Sequence, residues 1–117
     1  MAYDAALAAR VRALLAGHGE VAEVRMMGGL CFMLGGHMCC GIRGSDLMVR
    51  VGAEAHEAAL AEPHVRPFTL GTGRRQPAGF VVVEPAGVRD DAVLAGWLGR
   101  GRIFVATLPP KAAKARR

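Results

Sequence analysis

Serine is almost missing from this 117-residue chain: Ser45 is the single one, and it stands in the run Gly44-Ser45-Asp46, where Ser and Asp suit turn geometry by themselves. No GxSxG occurs, so the strained elbow of a serine hydrolase is excluded. Aromatic residues make up only 5%, which leaves too few rings for a base-stacking platform and a core built mainly from Leu, Val, Met and four Phe. No apolar run approaches bilayer length, and the first residues enter an amphipathic pattern with no signal-type stretch, so the expected compartment is the cytoplasm, without a membrane partner. Three cysteines are too few and too oddly counted for a secreted disulfide framework, and no CxxC is present.

Excess positive charge is equally scarce once it is located. The formal charge is +5, but Lys111, Lys114, Arg116 and Arg117 lie in the last seven residues, leaving eleven basic against ten acidic residues in the body. The length suits one domain, residues 1–110, followed by a basic, disordered tail over 111–117. Nucleic-acid contact is then expected to be limited to weak, nonspecific contacts of that tail. No helix-turn-helix, zinc finger or RNP-type strand points to more.

What the chain does have is a glycine-punctuated middle. RMMGGLCFMLGGHMCCGIRGSDLMVRV, residues 25–51, divides into short apolar strands at Gly28-Gly29, Gly35-Gly36 and Gly44-Ser45. Two-residue loops containing Gly are what tight hairpins require. Strands are expected over 21–27, 30–34, 37–43 and 47–51, forming an antiparallel meander. In the last of these Leu47, Val49 and Val51 share one face while Met48 and Arg50 share the other.

Helices flank the meander. Asp4 is an N-cap for a helix over 4–17, with Leu7, Val11, Leu14 and Leu15 on one stripe. AEAHEAALA (53–61) is a second helix, ended by Pro63. A short strand is expected at 68–70, a loop at 71–77, and a strand, FVVVE, at 80–84. Asp90 and Asp91 open a last helix whose apolar rhythm runs through Gly96, Gly99 and Gly101 to Pro109. The order α-β-β-β-β-α-(β)-β-α reads as an α+β fold, an antiparallel sheet with helices on one face and the other left open.

Two clusters invite a chemical reading. With Gly35-Gly36 as a two-residue loop, opposed residue numbers sum to 71, so Cys31 faces Cys40 at a non-hydrogen-bonded position, Cα atoms about 4.5 Å apart. That spacing sits at the short limit of disulfide geometry and makes Cys31 and Cys40 candidate redox thiols. His37 and Cys39 share a strand face while Cys40 points away. Two ligands fall short of a zinc site, and His18, His56 and His64 lie in unrelated elements. The second cluster is basic. Arg25, Arg43 and Arg50 come from separate strands and are expected to form a stripe on the open face. Arg74 and Arg75 crown the 71–77 loop, whose GTGRR lacks the phosphate-binding GxxxxGK[ST] pattern. These five arginines are the candidate interaction surface.

MMGGLCFMLGGHMCCGI, followed by DLMVRVG, PHVRP, GFVVVEP and a closing LPPK, resembles the N-terminal domain of the TfoX/Sxy family over nearly the whole chain. Family members often carry Phe where Met27 stands and Asn where Gly35 stands. The resemblance implies a two-layer fold and supplies no catalytic residue to carry over; no cofactor is expected. Longer members are regulators of natural competence that cooperate with a cyclic-AMP-dependent transcription activator, and their C-terminal domain has no counterpart in this sequence. The resulting expectation is a non-enzymatic regulatory module that binds a protein partner or a second copy of itself. A thiol- or metal-dependent protein using Cys31, Cys39 and Cys40 is the alternative.

Overall fold

The computed structural model describes residues 3–26, 28–69 and 79–109. In chain order these form α1 (Ala5–Leu15), β1 (Val21–Met26), β2 (Gly29–Leu34), β3 (His37–Arg43), β4 (Asp46–Arg50), α2 (His56–Leu60), β5 (Val65–Pro67), β6 (Phe80–Val83) and α3 (Asp91–Ala106). The fold is α+β. One six-stranded sheet runs β1-β2-β3-β4-β6-β5, every neighbouring pair antiparallel. The loop and tail expected at 71–77 and 111–117 lie outside the described residues.

Local chemistry explains where the elements begin and turn. The Asp4 carboxylate accepts from the backbone N–H groups of Ala6 (2.9 Å) and Leu7 (3.2 Å), and Asp90 accepts from Ala92 (2.7 Å), so both long helices start on satisfied donors. Gly35 and Gly36 have φ of 59° and 83°, the doubly left-handed pair of a type I′ turn. That turn joins β2 to β3 with Leu34 opposite His37.

The side chains sort by sheet face. Leu30, Phe32, Ile42, Leu47, Val49, Val81 and Val83 point to the helix side, where Leu7, Val11 and Leu15 of α1 and Leu94, Trp97, Leu98 and Val105 of α3 complete the main core. Each fully buried Leu, Val or Phe contributes about 1.5–3 kcal/mol. Arg10 ties the two helices together: it donates to the Asp91 carboxylate at 2.7 Å and to the carbonyl of Val88 at 2.7 Å.

Three expectations need revision. Residues 53–55 form a turn, and α2 begins only at His56, because Ala55 at the N-cap position supplies no side-chain acceptor. The short strand lies at 65–67 rather than 68–70. Phe68 leaves the ladder just after Pro67 and is buried in the cluster on the far face of the sheet. The far face of the sheet is not bare, because Phe68 is fully buried there against Cys31, Met38, Met48 and Val82.

One contact sets how closely α3 approaches the sheet. A Cβ built on Gly101 would lie 2.7 Å from the Cys39 carbonyl oxygen and 3.0 Å from its Sγ, whereas one on Gly96 would meet nothing within 4 Å. Gly101→Ala is therefore expected to lower stability in denaturant unfolding by about 1–3 kcal/mol through overpacking. Gly96→Ala, in the same helix, should raise it by about 0.5–1 kcal/mol. Equal effects of the two substitutions would contradict this seating of the helix.

Candidate functional site

The hairpin of β2 and β3 departs from the simple register midway. Met33 pairs with Met38, but Phe32 pairs with Cys40 and Cys31 with Gly41, which leaves Cys39 as an extra residue. Such a bulge places its two residues on the same side of the sheet. Cys39 and Cys40 accordingly both enter the helix-side core, and Cys31 lies on the far face. The expected opposition of Cys31 and Cys40 is thus corrected, since one inserted residue shifts the pairing and puts the two thiols on opposite faces. All three cysteines are free and buried.

Their environments differ. Cys39 has its thiol pulled below the ordinary range, chiefly because the neighbouring Cys40 thiol donates to it; burial opposes this and Arg102 assists. Cys40 is pushed well up, first by that same hydrogen bond and then by burial. Burial alone raises Cys31. Gly41, opposite Cys31, leaves the room into which the methyl ends of Met38 and Met48 pack.

Above the bulge, an open cleft of about 360 Å³ lies between the β2–β3 turn and the end of α3, lined by His18, Leu34, His37, Arg102 and Val105. His37 is already engaged: its Nε2–H donates to the carbonyl of Pro109 at 2.6 Å, since a carbonyl can only accept. Among the described residues no three His, Cys, Asp or Glu side chains converge as a metal set.

The arginines do not make one stripe. Arg25 is paired with Leu30 on the helix side of the sheet and lies over the Tyr3 ring at 5.8 Å. Arg43 and Arg50 belong to the far face. Arg43 acts as a latch, lying 4.8 Å over Phe68 and donating to the Thr69 carbonyl at 3.2 Å, which holds the chain where it leaves β5. Arg50 rests against two rings, Phe80 at 5.4 Å and Phe104 at 5.5 Å. Among the described residues no carboxylate forms an ion pair with Arg50, whereas Arg10, Arg12, Arg66 and Arg100 all have one. Arg74 and Arg75 lie outside the described residues.

Two features escape sequence reading. Arg66 links Asp46 on β4 to Glu84 after β6, joining chain segments far apart in sequence. Val24, Glu23 and Arg25 stand on the outermost strand, exposed, and Glu23 is bound by Arg12 of α1 through two hydrogen bonds of 2.6 and 2.9 Å. That guanidinium holds the Glu23 carboxyl below the usual carboxylate range. Alternation in residues 21–27 indicates the faces; it carries no sign that the strand is an edge.

The thiol environments give a measurable order. Alkylation of the folded protein should be slow at all three sites, and as pH rises Cys39 should react first and Cys40 last, because thiolate forms at lower pH at Cys39. Fragment-ion mass spectrometry of the labelled Cys39-Cys40 peptide reads this directly. Indistinguishable pH profiles at the two sites would refute the assignment.

Searches of curated proteins and of solved structures return no match. A family profile described as the TfoX N-terminal domain matches residues 13–101, from within α1 to within α3 and across the whole sheet. The chain belongs to the TfoX N-terminal domain family.

Proposed function

We propose that this domain is a non-enzymatic regulatory module that acts by binding an acidic surface of another protein. Membership of a family whose longer members are competence regulators supports the regulatory half of the reading. The observation that carries the binding half is Arg50, half-buried and resting on Phe80 and Phe104 with no described carboxylate as its partner. Holding a long side chain flat on aromatic rings removes much of the rotamer entropy that an incoming partner would otherwise have to overcome. Arginine seated beside aromatics is also the side chain most enriched where interfaces concentrate their energy. Arg74 and Arg75, from the chain between β5 and β6, extend the basic character of this reading.

A second reading, a redox-responsive thiol protein, is favoured by one observation, the depressed Cys39 thiol beside Arg102. Its burial beneath α3 weighs against fast reaction with an oxidant.

The test is affinity capture from the native host with wild type and with the triple variant Arg50→Ala, Arg74→Ala, Arg75→Ala, folding being checked by circular dichroism. The expected result is at least one protein with an acidic surface that is recovered with wild type and lost at least tenfold with the variant. Identical partner lists would remove these arginines from the mechanism.

A further inference from the structure

The two margins of the sheet are built differently. β5 is three residues long and contains Pro67, two of the devices by which proteins keep an edge from pairing. β1 is six residues long, without Pro, Lys or bulge, and pairs in unbroken register with β2. Among the described residues no strand lies outside it. Ala22, Glu23, Val24 and Arg25 are exposed, Val24 to 41%. We propose that a second copy of this chain adds to β1 as an antiparallel strand, related by a two-fold axis at Val24.

Hydrogen-bond parity and charge select that register. The two-residue loop between β1 and β2 is closed by Met26 opposite Gly29. In such a hairpin the closing pair is hydrogen-bonded and the pairs then alternate, so Ala22, Val24 and Met26 spend their backbone groups on β2, leaving those of Val21, Glu23 and Arg25 pointing outward. Directly opposed residues must share a sheet face, so the axis passes through a residue rather than between two.

An axis at Glu23 would set two carboxylates against each other, and one at Arg25 two guanidiniums. With the axis at Val24, Glu23 faces the partner's Arg25 and Arg25 faces the partner's Glu23. Both are outward-facing pairs that exchange both backbone hydrogen bonds. Val24 meets the partner's Val24, and Ala22 meets the partner's Met26, covering apolar side chains beside the half-buried Met33. Glu23 already accepts two bonds from Arg12, and a carboxylate has acceptor capacity left for the incoming guanidinium. Arg25 comes from the Tyr3 ring, 5.8 Å away, and gives up only an exposed cation–π contact.

The β1 margin is separated from Arg50 on β4 by both β2 and β3, so self-association and recognition of an acidic partner fail independently of each other. Sedimentation equilibrium of wild type should give a mass that rises with concentration to twice that of the chain. Glu23→Arg and Arg25→Glu should each be monomeric, because each opposes like charges, while their equimolar mixture should form a heterodimer in which both pairs are complementary. Rescue by mixing separates the interface from any loss of stability in either variant.

Val24→Cys should give a disulfide-linked dimer on mild oxidation, since the non-hydrogen-bonded Cα separation is about 4.5 Å. Ala22→Cys, whose two copies lie on either side of the axis, should not. A wild type that remains monomeric at every concentration, a mixture that stays monomeric, or cross-linking through Ala22→Cys in place of Val24→Cys would each overturn the proposal.

Discussion

The approach of α3 to the bulged hairpin governs the architecture. Gly101 lets the helix backbone come down onto the Cys39 carbonyl, and the apolar face of α3 packs on the sheet around that contact. Trp97, Leu98 and Val105 reach the core because the helix sits low enough for them to do so. The bulge provides the other half of this fit. By turning both Cys39 and Cys40 toward the helix, it fills the space under Gly101 with two small polarizable side chains where a regular strand would supply one. A helix with three glycines is a poor helix in isolation, so its stability comes from this packing.

Arginine performs several jobs in the molecule, and partner geometry separates them. Arg10, Arg12, Arg66 and Arg100 meet carboxylates and stitch elements together across long sequence distances. These pairs are exposed or partly exposed, so water and salt screen them and they add little to stability; their value lies in fixing geometry. Arg43 spends its donors on a backbone carbonyl and fastens the segment that crosses the far face. Arg25 and Arg50 instead lie on aromatic rings. Such a cation is ordered without being neutralised, and it is the kind that an interface uses.

Much of the architecture was legible in the residues. Asp4 and Asp90 mark the starts of helices, Gly35-Gly36 forces a hairpin, and alternation in residues 47–51 assigns faces correctly. The bulge was not legible. Met38 to Ile42 is apolar or small throughout, so either register buries comparable side chains, and the close seat of Gly101 on Cys39 comes from a helix distant in sequence. The same limit hid Phe68. Pro67 announces the end of a strand, but where the chain goes next depends on the far-face gap between Met38, Met48 and Val82. The candidate surface suffered most, because grouping Arg25 with Arg43 and Arg50 required knowing which side of the sheet each strand presents, and strand order is a property of the assembled fold.

Pro67 and the shortness of β5 carry a consequence for growth by strand addition. A subunit arriving at that margin would find a three-residue ladder with one amide proton missing, too little to hold it in place. Among the described residues only the β1 border can receive a strand, so in the proposed dimer docking through it would occupy that border on both participants. Linear polymerisation, the usual hazard of an unprotected sheet, is thereby closed off by the opposite end of the same sheet.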